Sequence, residues 1–157
     1  VSGDLARPRP WSCGDGFVAT KLILLHGDDL LTYLRDDRPD IPHPAQWDLP
    51  GGGREGDESA ADCALRELAE EFGLHFSADR LRAPVAFTNP ARPDYVSVFY
   101  CGALRECDIA AIRFGDEGIC WRMMRVADYI VHPAAVPHFR ARVAHCLSQA
   151  RSELDWL

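Results

Sequence analysis

The stretch from Trp47 to Phe76 reads WDLPGGGREGDESAADCALRELAEEFGLHF, and its interpretation decides the fold. Ala61, Leu65, Leu68 and Phe72 recur at helical spacing and predict a helix from Asp57 to Phe72, with Asp57 or Ser59 as its cap. Gly73 stands where a left-handed residue closes a helix. On a wheel, Glu67, Glu70 and Glu71 fall within about 100° of one another, on the side opposite those apolar positions. Like charges at these spacings repel by a few tenths of a kcal/mol per pair, and the macrodipole disfavours anions near a helix C-terminus. An external cation relieves both effects, and a carboxylate set suits hard Mg²⁺, Mn²⁺ or Ca²⁺. A solvated acidic face would carry the same residues. The preceding Pro50-Gly51-Gly52-Gly53 favours the cation, because a glycine turn lets backbone carbonyls and N–H groups approach a metal–phosphate unit closely.

Outward from this segment, the chain has 157 residues, 47% of them hydrophobic, with 17 Lys and Arg against 24 Asp and Glu, a net charge of −7. That length suits one domain, 1–157 with a core at about 16–147, burying roughly 70% of its unfolded surface. Leu22–Leu25 is far shorter than the roughly 20 apolar residues that span a bilayer, so no membrane association is expected. No basic and apolar leader pattern opens the sequence, and the six cysteines form no CxxC pair. The expectation is a cytoplasmic protein with reduced, buried thiols. The charge is unevenly placed: residues 51–76 hold seven acids and two arginines, whereas the rest holds 17 acids and 15 bases. Such a surface supplies no field for a long nucleic acid.

Elsewhere, Gly16–Leu25 and Leu30–Leu34 read as a hairpin about the turn at 26–29. Residues 36–50, with four prolines, read as a long loop of the kind that is usually functional. Val85–Thr88, Tyr95–Leu104 and Ile119–Met124 read as strands and Pro137–Leu147 as a closing helix, giving an α+β domain without repeats.

The spacing Gly52, Glu58, Arg66-Glu67-Leu68, Glu70-Glu71, Gly73-Leu74 resembles the Nudix box at every defined position. The resemblance implies a mixed β-sheet sandwiched between helices (α/β/α) and Mg²⁺- or Mn²⁺-dependent hydrolysis of a nucleoside diphosphate linked to another moiety, with a nucleoside triphosphate as the leading candidate. It implies that Glu67, Glu70, Glu71 and the Gly52 carbonyl hold metal, that Glu70 or Glu67 is the general base, and that Glu58 and Arg66 form a structural ion pair. Phe114–Arg122 (FGDEGICWR) resembles the GxEG…W stretch of MutT-like members, which makes Glu117 a further ligand or base. Arg35 falls where such proteins place a phosphate-contacting arginine. Gly51, Gly52, Trp47, Asp48 and Phe87 complete the expected substrate site, in a monomer or homodimer acting on a small nucleotide derivative.

Ala135 replaces the asparagine that binds the base in the oxidised-guanine triphosphatase, so polar readout falls to Asp48, Asn89 or His138. Trp47, Phe87 and Tyr95 are the candidate stacking residues. The coenzyme A signature and the SQPWPFPxS array are absent from the sequence. Pro90 stands near the proline that marks ADP-ribose pyrophosphatases, which keeps that activity as an alternative. A nucleotide-binding module without catalysis is the alternative from a different class.

Overall fold

A computed structural model describes residues 8–89 and 91–150; Pro90 lies outside the described residues. Its strands are β1 (Arg9–Pro10), β2 (Ala19–His26), β3 (Asp29–Leu34), β4 (Trp47–Asp48), β5 (Arg82–Asn89), β6 (Arg92–Ala103) and β7 (Cys120–Arg125). Its helices are α1 (Ala60–Phe72), α2 (Glu106–Ala110), α3 (Val126–Tyr129) and α4 (Pro137–Ala150). The strands form one mixed sheet in the order β1-β5-β6-β2-β3-β4, with β7 on the free edge of β3. Only β2 and β6 run parallel; the other pairs are antiparallel.

The apolar run of β2 lies at the centre because both its faces are covered, as a near-continuous hydrophobic strand requires. Leu22 and Leu24 pack with Ala64, Leu68 and Phe72 of α1, while Ile23 and Leu25 pack with Phe139 and Val143 of α4. Helices therefore lie on both faces, the α/β/α arrangement expected. Among the described residues, no helix is long and apolar enough to cross a membrane.

Ser59 caps α1 by accepting from the Asp62 N–H at 3.1 Å, so the helix starts at Ala60 rather than Asp57. Gly73, at φ 65°, ends it and donates to the Ala69 carbonyl. The 36–50 loop is shorter than expected, because Trp47 and Asp48 pair with Leu34 and Tyr33 as β4. β1, α2 and α3 have no counterpart in the sequence reading, being too short for periodicity to register. Cys63, Cys101 and Cys146 are buried free thiols, but Cys13, Cys107 and Cys120 are exposed, which corrects the expectation for half of them.

Phe87 is fully buried, edge-on to Phe99 with ring centroids 5.1 Å apart and with the Arg142 guanidinium 5.0 Å from its ring. Truncation there leaves a cavity. Phe87→Ala should lower stability by about 3–5 kcal/mol in urea unfolding; a substrate-stacking role would instead leave the unfolding midpoint in place.

Candidate active site

The glycine turn is laid against β2 like an extra strand. Thr20 N–H donates to the Gly52 carbonyl at 2.9 Å, Leu22 N–H to the Pro50 carbonyl at 2.8 Å, and Arg54 N–H to the Val18 carbonyl at 2.9 Å. Gly51 has φ 128°, and a Cβ there would collide with the Thr20 carbonyl and sit 2.8 Å from Lys21 Cα. A Cβ on Gly52 would lie 2.5 Å from Glu67 Oε1, so a box carboxylate rests directly on the backbone. Gly51 is thus required for close approach, while a side chain at Gly52 would displace the Glu67 carboxylate.

Glu71 is buried and accepts from Gly51 N–H at 2.7 Å. Burial pushes its pKa up to about 8, although Lys21 and the Gly51 N–H favour the charged form. Burial raises Glu67 as well, against the pull of Arg66. Glu70 is far more open, with its side chain 57% exposed. Arg66 ties the group together: its Nε and Nη2 bind Glu58 bidentately at 3.0 and 2.8 Å, Nη2 also donates to the Gly53 carbonyl, and Nη1 reaches Glu67 and Glu70 at 3.1 Å. That fork holds the Glu58 carboxyl down at about 2. The Glu58–Arg66 pair therefore fastens the turn to α1.

Among the described residues, no group of three or more His, Cys, Asp or Glu is gathered closely enough to hold an ion. Arg66 supplies the positive charge to Glu67 and Glu70 in this arrangement. The donors nonetheless fit a hard divalent cation: they are all oxygens, and Glu71 is a buried carboxylate whose charged form is disfavoured where it stands. Glu67, Glu70 and Glu71 of α1 and the carbonyl of Gly52, against which Glu67 rests, are the groups that would hold it, with Glu67 and Glu70 released from Arg66.

Beside Gly52 opens a cleft of about 390 Å³, lined among others by Lys21, Arg35, His43, Asp48, Asn89, Arg92, Tyr95 and His138. Asp48 forms its floor and is saturated. It accepts from Lys21 Nζ at 2.9 Å, Arg35 Nη1 at 2.8 Å, Tyr33 Oη at 3.0 Å and its neighbour Leu49 N–H at 2.6 Å. Burial works against its charge, but Lys21 and Arg35 hold the carboxyl below the ordinary range. Lys21 also donates to the Leu49 and Gly51 carbonyls, which links this charge cluster to the glycine turn. Arg35 is fixed from a second side by the Pro42 carbonyl at 2.9 Å.

Glu117 is exposed and lines a neighbouring depression with Tyr33, Arg35 and Arg38. The loop that carries it is fastened to the end of α1, where Arg113 and Gly115 N–H groups satisfy the Phe72 and Glu71 carbonyls at 2.9 Å. Arg35 lines both the cleft and this depression.

The model of the NUDIX domain matches residues 18–145, most of the chain. The chain belongs to the Nudix family. It is similar in fold to a MutT protein from Methanosarcina mazei Go1, with 17% identity, 89% of this chain and 99% of that one covered, and a TM-score of 0.67. An Ap4A hydrolase from C. elegans aligns at 19% identity over 88% of this chain and 99% of its own, with a TM-score of 0.63. A bifunctional NMN adenylyltransferase/ADP ribose pyrophosphatase from Francisella tularensis, complexed with AMP and a Mn ion, aligns at 18% identity over 88% of this chain and 42% of its own, with a TM-score of 0.60. The Nudix assignment makes this chain a hydrolase of pyrophosphate bonds, a chemistry for which the family generally uses divalent metal ions.

Of the residues expected in the Nudix site, the fold brings together Gly51, Gly52, Glu58, Arg66, Glu67, Glu70 and Glu71, and sets Arg35 and Asp48 in the adjoining cleft. Three do not join them: Glu117 lines the neighbouring depression, and two aromatic residues belong to the core. Phe87 has no exposed surface, and Trp47 is buried where β4 meets Ala134 and Val136, its ring under the Arg122 guanidinium. Neither can stack a base in this packing. Gly51 acts through its backbone fit to β2 rather than as a surface for substrate. Sequence reasoning missed Lys21, Tyr33 and His43. A lone lysine inside the apolar run VATKLILL was the available signal for the first.

Gly51→Ala should lower stability by about 3 kcal/mol or more, since both φ and the Thr20 contact oppose a side chain; chemical denaturation measures it. A second expectation concerns pH. In protein stripped of divalent cations, folded Glu71 keeps its proton up to about pH 8, whereas the unfolded chain releases it near 4.5. Its contribution is therefore complete below pH 4.5 and lost as pH rises through 8. Thermal midpoints of the stripped protein should fall over that interval, and Glu71→Gln should flatten the fall.

Proposed function

We propose that this chain is a Mg²⁺- or Mn²⁺-dependent pyrophosphohydrolase of nucleoside triphosphates. The observation that carries the reading is that Glu71 and Glu67, both half-buried or deeper, lie on the glycine turn at the edge of a cleft holding Arg35 and Arg92. Glu67, Glu70, Glu71 and the Gly52 carbonyl are the proposed metal ligands, joined by Glu117 from the loop tethered at Gly115. When bound, a divalent cation there would withdraw charge from the phosphate oxygens and acidify the attacking water. Glu70 or Glu67 then accepts the proton of that water. Arg35, held by Asp48 and the Pro42 carbonyl, is oriented in advance to contact phosphate oxygens. The bond broken is a phosphoanhydride, with water supplying the oxygen to one phosphorus and the other phosphate leaving.

The proposed setting is the cytoplasm, where the exposed thiols of Cys13, Cys107 and Cys120 stay reduced. The chain is proposed to act as a monomer or homodimer.

Purified protein with Mg²⁺ should hydrolyse nucleoside triphosphates faster than ADP-ribose, dinucleoside polyphosphates or sugar nucleotides when both products are quantified. Glu70→Gln should lower kcat by about 10²-fold or more while leaving the thermal midpoint nearly unchanged. No turnover of any of these substrates, or full activity in Glu70→Gln, would contradict the reading.

A further inference from the structure

We infer that the mouth of the cleft is a slot for a heterocyclic base bearing a carbonyl group, with Tyr95 as its stacking face and Asn89 as the donor that reads its edge. This rests on the pyrophosphohydrolase reading above and specifies its substrate as an oxo-base nucleotide.

The cleft supplies few surfaces that could take a base. Asp48 accepts from four donors and has nothing left for a ligand's N–H groups. Ala135 is buried, and Trp47 and Phe87 belong to the core. Tyr95 differs from all of these. It is 39% exposed, and of the exposed large hydrophobics among the described residues, Val18, Tyr95, Ile119 and Val131, it alone lines the cleft. The Arg92 guanidinium, which lines the same cleft, lies 5.2 Å from the centroid of this partly exposed ring, a cation–π contact. Such a surface stacks a base irrespective of its identity.

Identity must then be read by polar groups, and Asn89 is placed for it. Its Oδ1 accepts from Ala91 N–H at 2.9 Å, within the β5–β6 turn. That bond settles which end of the amide is which, and leaves Nδ2 as the group that donates to a ligand. A donor selects a carbonyl oxygen over an exocyclic amino group, the difference between a 6-oxopurine and a 6-aminopurine.

The rest of the rim comes from the 36–46 loop and the first turn of α4. His43, in the left-handed region at φ 52°, places its ring 5.4 Å from that of His138, which in turn lies 4.5 Å from Phe139. A non-glycine residue in this region is uncommon and concentrates where surrounding structure enforces it. His43, His138 and Phe139 line the same cleft as Tyr95.

Calorimetric titration with IDP, ADP and inorganic pyrophosphate in Mg²⁺ tests the proposal, because the two nucleotides differ only at the edge in question. The wild-type protein should bind IDP about tenfold more tightly than ADP. Asn89→Asp keeps the acceptor for Ala91 and removes the donor, and should abolish that preference. Tyr95→Ala should weaken both nucleotides about tenfold and leave pyrophosphate unchanged, whereas Tyr95→Phe should match the wild type. Equal affinity for IDP and ADP in the wild type, or a parallel loss of pyrophosphate binding in Tyr95→Ala, would overturn the slot. Hydrolysis without base preference counts against the slot alone, and base-selective binding without hydrolysis counts against the catalytic reading alone.

Discussion

Everything in the site depends on the approach of the Pro50–Gly52 backbone to β2. β3 pairs with β2 only near the hairpin turn, and the edge of β2 thus left open is filled by carbonyls of the glycine turn. Gly51 permits the contact because it has no Cβ to meet Thr20, and Gly52 permits Glu67 to lie on the backbone. Once the turn is seated, the Gly51 N–H faces Glu71 and the Lys21 ammonium binds the Gly51 carbonyl. One backbone placement therefore brings a helix carboxylate and a strand cation to the same three residues.

Two charged clusters flank this turn and do different work. Arg66 spans Glu58, Glu67, Glu70 and the Gly53 carbonyl, so the loop is tied to the helix through one guanidinium. Asp48 gathers Lys21, Arg35 and Tyr33 on the cleft floor. A buried carboxylate with that many donors is a positioning device rather than a ligand group, and its partners keep their orientation through packing as well as charge. Glu71 lies between the two clusters, accepting from the Gly51 N–H, and burial there disfavours its charged form until a cation from outside the chain neutralises it.

The box was legible because its spacing is local: Ser59 and Gly73 bound one helix of about four turns, as capping predicts, and the Glu58–Arg66 pair implied by the resemblance closes across the start of that helix. The orientation of that helix was only half legible. Glu71 stands on the face shared with Ala60, Ala64 and Leu68, all buried, rather than on a face opposed to the core. A wheel gives angles between side chains, but the neutral line is drawn by what packs against the helix, here the glycine turn and β2. Phe87 and Trp47 were misread for a similar reason. An aromatic side chain in a strand suits a core or a ligand equally, and alternation does not say which face of a doubly covered sheet is open.

The family, the helix and its cap, the glycine turn and the carboxylates beside it can be read along the chain, because all of these follow from residues within about two dozen positions of one another. That Asp48 is saturated, that Lys21 binds the turn's carbonyls, and that Tyr95, Asn89, His43 and His138 line one cleft are products of folding. Those residues come from the strand pair β5–β6, a loop before β4 and the start of α4, segments joined in space by sheet order and not by chain distance. Pairings of that kind are set by how two covered faces of a sheet pack, which no local pattern records.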